Sequence, residues 1–360
     1  MRLAGSTSRA LSAFRAFGLH CTATIGWCGR IFRATFRYTH AADRFALYRY
    51  STRGGTRTDM DIVSTTPKAT DWLYIAIPGL IWGTSFLFIA EGLEAVGPNG
   101  VTFLRLVIGF LTIAAFPAAW KSIPKFDWKW VALVGVVWMA FPLSMFPYAE
   151  QRVSSALTGM LNGGVPLMTA IVAAVLVRRL PGRGVLTGLA VGLLGVLLVA
   201  LPALGQGRSS VEGVLMIVAA VIGYGCALNI ARPLQVKYGA LPVIWRAQGV
   251  AVLLTAPLGI PALTQAHWTI WPTLSVLLLG MGGTAIAFVA MTSNAGKFGA
   301  TRASSTTFLI PPVALFLGVL VRHERVALLS VIGGAVCVAG AWLMARAQHD
   351  HAPTPAKGAA

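Results

Sequence analysis

Charge is scarce where this sequence is most apolar, so each ionisable residue inside an apolar run carries information. Arg105 lies about five residues into one such run and Arg246 about four residues into another. A charge at the centre of a membrane helix costs at least about 2.5–3.5 kcal/mol. A guanidinium kept there either snorkels to the nearer interface or attracts an anionic substrate group. Glu91 and Glu150 stand at the ends of two other runs. A carboxylate in a cavity can exchange a proton or hold a substrate amine, whereas one in a loop is simply solvated. Asn162 and Gln248 add uncharged hydrogen-bonding groups, as do Asn229, Asn294, Ser304, Ser305 and Thr306. In lipid such groups bridge helices for only about 0.6 kcal/mol each. Glu91, Arg105, Glu150, Asn162, Arg246 and Gln248 are therefore the candidate substrate or coupling groups.

The sequence carries no motif of enzyme chemistry. There is no G-x-x-x-x-G-K-[ST] phosphate loop and hence no ATP engine. His20, His40, His267, His323, His349 and His351 lie in loops or tails without metal-ligand spacing. Cys21 and Cys28 are not spaced as zinc ligands, and Cys226 and Cys337 read as small buried hydrophobes. No catalytic residue, metal or cofactor is expected.

The elements that must position these residues are membrane helices. Only 11% of the 360 residues are charged and 56% are hydrophobic, against about 25% charged in soluble domains. A mean hydropathy of +0.73 leaves no water-facing surface to hide the apolar residues, so the partner is the lipid bilayer. The net charge of +18 does not indicate nucleic acid, because no basic face interleaved with aromatics exists. Residues 1–58 hold ten arginines and a single acid, Asp43. Residues 1–59 read as a disordered or non-native extension, either an Arg-rich transit peptide or sequence upstream of a start at Met60, the second being favoured. Residues 60–71 are a polar lead-in.

A span needs about 20 mostly apolar residues, and ten follow: Trp72–Ala90, Val101–Trp120, Trp130–Tyr148, Ser154–Val177, Gly184–Leu204, Gly213–Ile230, Pro242–Ile260, Leu274–Ala290, Arg302–Val321 and Ala327–Ala345. The fold class is all-α integral membrane. With the N-terminus inside, the inner loops carry ten Lys and Arg (Lys121, Lys125, Lys129, Arg178, Arg179, Arg183, Arg232, Lys237, Lys297, Arg302). The outer loops carry four (Arg152, Arg208, Arg322, Arg325). This bias puts both termini in the cytoplasm, with residues 346–360 as a disordered cytoplasmic tail.

The stretch Ala149–Val199 recurs as Asn294–Met344 at an offset of 145 residues. The offset pairs Pro166 with Pro311, Gly188 with Gly333, Gly195 with Gly340 and, upstream, Gly135 with Gly280. The chain thus divides into units 72–204 and 213–345 of five spans each. An odd number of spans makes the second unit enter from the opposite side, so the units are inverted repeats, an arrangement of alternating-access carriers. Pro166 and Pro311 sit mid-span, where a proline can kink or hinge a helix. Gly159 and Gly163 form a GxxxG pair, and Gly188 and Gly333 lie on small packing faces.

Taken together, the chain resembles the EamA-type members of the drug/metabolite transporter superfamily over residues 72–345. The residues carrying the resemblance are Trp82-Gly83-Thr84-Ser85-Phe86, Pro98 with Arg105, Ser155-Ala156 before Pro166, Thr301 before Pro311-Pro312, Glu324, and Tyr224-Gly225. Membership implies a multi-pass carrier of the cell inner membrane, exporting amino acids, drugs or other small metabolites, often against protons. Such repeats often end the fourth and ninth helices with Gly-Glu. Here the first copy has Arg178-Arg179, and the second has Arg322-His323 before Glu324. The reading is a secondary transporter working by alternating access, with its oligomeric state unspecified. Uptake or organellar exchange, for example of a nucleotide-linked sugar, is the alternative within transport, and a non-transporting membrane enzyme or sensor is the alternative outside it.

Overall fold

The computed structural model describes residues 69–178, 180–298 and 305–350, within the unit Thr66–Ala360. The expected extension 1–59, most of the lead-in and residues 351–360 lie outside the described residues. Among the described residues every regular element is helical, the form in which a chain satisfies its backbone without water. In chain order these are α1 (Ala69–Gly92), α2 (Pro98–Ala114), α3 (Lys125–Glu150), α4 (Ser155–Val177), α5 (Arg183–Leu204), α6 (Arg208–Tyr238), α7 (Ala240–Leu263), α8 (Ile270–Met291, continuing to Phe298), α9 (Thr306–Arg322) and α10 (Leu328–Asp350).

Seven of these are long and apolar enough to cross a bilayer: α3, α4, α5, α6, α7, α8 and α10. Ala76–Gly92 of α1, α2 and α9 are apolar but shorter. Gly97-Pro98 and Pro117 bracket α2 tightly, and the Pro311-Pro312 pair forces a fresh start within α9. Elsewhere helices overrun the expected ends. α10 continues to Asp350, five residues past 345, because Met344-Ala-Arg-Ala-Gln348 contains only good helix formers and Pro353 is the first breaker. Outward-facing side chains such as Leu253, Ile270, Trp271, Phe316 and Leu328 are exposed and apolar, while Arg105, Gln248 and Thr284 are buried. That inside-out distribution suits lipid.

Local irregularities repeat at the same 145-residue offset. α3 contains a π-helical turn, Gly135–Ala140, and α8 contains another, Leu279–Ile286. α4 breaks at Gly163-Gly164 and restarts as Val165–Val177; α9 opens with a 3-10 turn, Ser305–Leu309, and restarts as Ile310–Arg322. Pro166 and Pro311 occupy the first turn of these restarted helices, not the middle of a continuous ladder. A proline there forfeits no hydrogen bond. Both restarted helices end on a left-handed residue, Arg178 (φ 55°) and His323 (φ 54°).

α5 packs on α10 with its glycines in backbone contact. A Cβ on Gly188 would lie 2.8 Å from the carbonyl oxygen of Gly340, and one on Gly195 would lie 2.7 Å from that of Gly333. Gly188 matches Gly333 at the offset, and Gly195 matches Gly340. Each glycine therefore meets the counterpart of the other, the exchange of partners that a two-fold relation between two helices produces.

Candidate functional site

The polar interior is built around α2. Its buried face runs through Val101, Arg105, Leu106, Gly109 and Ile113, a helical spacing that carries Arg105 inward with its apolar neighbours. Arg105 is 4% exposed. Its Nε donates to Thr284 Oγ1 on α8 (3.3 Å), and that hydroxyl donates to the Leu279 carbonyl five residues back (3.0 Å). The second bond lies within the π turn, which also presents the Gly283 carbonyl to Trp82 Nε1 on α1 (3.0 Å). π turns often mark functional positions in this way. Gln248 on α7 donates Nε2 to the Leu106 carbonyl (3.1 Å). Gly109 makes room for both partners, since a Cβ there would lie 2.4 Å from Gln248 Nε2 and 3.0 Å from Thr284 Cβ.

Hydrogen-bonding capacity is left over. Arg105 Nη1, Gln248 Oε1, Asn162 Oδ1 and both carboxylate oxygens of Glu150 are buried without a partner among the described residues. Glu150, the last residue of α3, interacts electrostatically with Arg105, as does Tyr224 of α6. Aromatic rings line the same helices. Phe146 meets Phe86 (5.6 Å between centroids) and Tyr224 (5.8 Å), and Phe288 meets Trp82 (5.4 Å) and Trp138 (5.5 Å). A guanidinium can hold a carboxylate or phosphate, a carboxylate can hold an ammonium or a proton, and ring faces accept apolar or cationic groups.

The remaining candidates make other contacts. Glu91 accepts from Arg322 Nη1 on α9, which also bonds Glu94 (3.1 Å). It is an ion-pair partner at the end of α1. Arg246 donates Nη1 to the carbonyls of Ala119 and Pro242, each 3.1 Å away, and stacks over Trp245. It ties α7 to the connection after α2. Asn162 closes the first half of α4 and is 8% exposed. Gly159 and Gly163 receive α9, because Cβ atoms there would lie 2.1 Å from Ala314 Cβ and 2.7 Å from Pro311 Cγ.

Sequence reasoning missed Thr284, whose only signal was a hydroxyl in an apolar run. Tyr224 was noted only beside Gly225. The third omission is the partner of Glu324. Its carboxylate accepts from Ser155 N (2.9 Å), Ser155 Oγ (2.8 Å) and Ala156 N (2.9 Å), at the start of α4.

Residues 72–201 and 211–346 each match the EamA-like transporter family. The chain belongs to that family. Its two matched segments coincide with α1–α5 and α6–α10. Among relatives of this EamA-like transporter, a protein of Streptantibioticus cattleyicolor named "Probable terminal-alkyne amino-acid exporter" is 26% identical over 74% of this chain and 90% of its own. The "Uncharacterized transporter YdfC" of Bacillus subtilis is 27% identical over 72% and 86% respectively. One solved crystal structure aligns with a TM-score of 0.57 at 20% identity, covering 79% of this chain and all of that one, which shows a shared fold. The EamA-like chain is thus a multi-pass membrane transporter for small molecules.

Proposed function

We propose that the protein is a secondary exporter of small metabolites, amino acids above all, working by alternating access in the cell inner membrane. In this reading the ten helices α1–α10 are ten spans forming two inverted five-helix repeats, with both termini cytoplasmic. Support for the inversion comes from the recurring π turns, restarted helices and left-handed caps, and from the exchanged glycine pairs of α5 and α10. Arg105 takes the substrate carboxylate, Glu150 takes its ammonium or a coupling proton, and the rings around Phe146 and Phe288 take its side chain. The observation that carries the site is that the Arg105 guanidinium and the Glu150 carboxyl group each keep buried hydrogen-bonding atoms without a partner among the described residues. Burying such groups is costly without full hydrogen bonding, and a zwitterion or amine-bearing acid would supply the missing partners. The name of the Streptantibioticus relative points to the same substrate class and direction.

The test is efflux from proteoliposomes across a panel of amino acids and amphipathic drugs, with and without a pH gradient. We expect flux for a zwitterionic subset, reduced about 30-fold or more by Arg105→Gln, in line with loss of a buried charged partner. Equal flux with and without the protein across the panel would sink the reading. Undiminished flux in Arg105→Gln would remove that residue from the site.

A further inference from the structure

The C-terminal turn of α9 holds two other helices at once. Arg322 is the last helical residue and bonds Glu91 and Glu94 at the end of α1. One residue beyond the left-handed His323, Glu324 receives the two N–H groups and the hydroxyl that open α4. The turn between them is rigid, because the N–H groups of both His323 and Glu324 bond the carbonyl of Gly318. Gly318 has a second part in the arrangement. A Cβ there would lie 2.5 Å from Glu324 Oε2 and 2.8 Å from Ala156 Cβ, so only glycine lets the carboxylate reach α4. Glu150, with its unpartnered oxygens, lies within electrostatic range of both Arg322 and Glu324. The charges of the turn therefore act on the acid of the candidate site.

We propose that Arg322 and Glu324 form a double latch that closes this end of the transport path. Because one rigid turn carries both side chains, its α1 arm and its α4 arm release together when the site is exposed on this side. The arms are unequal in kind. The Arg322 arm is a part-exposed ion pair, open to screening by salt. The Glu324 arm is a charge-assisted cap on a helix N-terminus, where the partial positive charge of the helix adds to the hydrogen bonds. The latch rests on the transport reading, since a gate has meaning only in a carrier.

Cysteine labelling tests it without any substrate. Glu150→Cys, in a chain with the native cysteines replaced, reports access to the interior when a membrane-impermeant maleimide is added to either face of sealed vesicles. Glu324→Ala should raise labelling from the α9 C-terminal face by about tenfold, equivalent to about 1.4 kcal/mol of lost closure. Labelling from the opposite face should stay unchanged. Glu324→Gln, which keeps one acceptor oxygen for Ser155 but sets an amide nitrogen against the Ala156 N–H, should recover only part of the closure. Arg322→Gln should raise labelling from the same face while leaving the α4 cap in place, so the test does not depend on one variant folding. No change in any variant, or an equal rise from both faces, would overturn the latch. Efflux measured in parallel on the Glu150-containing chain separates that outcome from failure of the transport reading.

Discussion

The restarted halves of α4 and α9 are one backbone used twice. Val165–Val177 and Ile310–Arg322 each have 13 residues, a proline in the first turn and a left-handed cap with nearly equal angles. Their side chains diverge where each helix ends. Gly318 corresponds to Ala173, Arg322 to Val177, and Glu324 to Arg179. One end has everything the double latch needs. At the other end the same positions carry alanine, valine and arginine. Val177 and, near the end of α6, Val236 are exposed. The polar contacts there join different helices. Asp127, in the first turn of α3, accepts from Lys237 Nζ (2.9 Å) and from the Tyr238 hydroxyl at the end of α6. The two stretches share a restart and a left-handed cap, while their ends carry unrelated polar chemistry. Under the proposed orientation the latched end faces outward, so an exporter holds shut the side from which substrate must not return.

The comparison is broken most forcefully at the glycine. Gly318→Leu would drive side-chain atoms into Glu324 and Ala156, and overpacking of this kind costs about 1–3 kcal/mol. The matching Ala173→Leu meets no such carboxylate and should stay within about 0.5 kcal/mol of the parent. Thermal unfolding in detergent compares them directly. Equal losses at the two positions would mean that Gly318 is a packing glycine only.

The sequence made the scaffold readable because prolines, glycines and loop charges mark it locally. Pro166 and Pro311 revealed the copy, and Arg105 stood out as an arginine in an apolar run. What stayed hidden depends on pairing across the chain. Glu324 meets Ser155 from 169 residues away, and Arg322 meets Glu91 from 231 away. Nothing near either residue distinguishes a cap or a latch from a solvated loop. Arg246 illustrates the reverse case. Its depth in α7 resembled that of Arg105, yet it bonds backbone carbonyls at a helix end. The π turns had no signal of their own, since a one-residue widening leaves the apolar pattern nearly intact. Thr284 reaches Arg105 from such a turn.

A smaller effect is expected at the opposite end from Asp127→Asn. The substitution removes the charge that Lys237 and Tyr238 share, but Lys237 is 60% exposed and solvent replaces part of its interaction. We expect labelling of the Glu150→Cys reporter to rise about fivefold from the Asp127 face, equivalent to about 1 kcal/mol, and not from the latched face. A rise on the latched face instead would mean that the two ends are not closed independently.

The smallest effect should come from trying to copy the latch across. Val177→Arg with Val236→Glu places at the unlatched end the residue types that Arg322 and Glu91 supply at the other. Both positions are exposed, at 46% and 83%, so the new pair would sit in high dielectric. Exposed pairs contribute about 0.2–1 kcal/mol, which corresponds to at most a few-fold slower labelling from that face. A double-mutant cycle, with each single variant measured alongside, isolates the pair from the cost of two new charges. A coupling well above that range would show that the α1–α9 ion pair alone can close an end. A coupling within it leaves the Glu324 cap, which has no counterpart beyond Arg178, as the stronger arm of the latch.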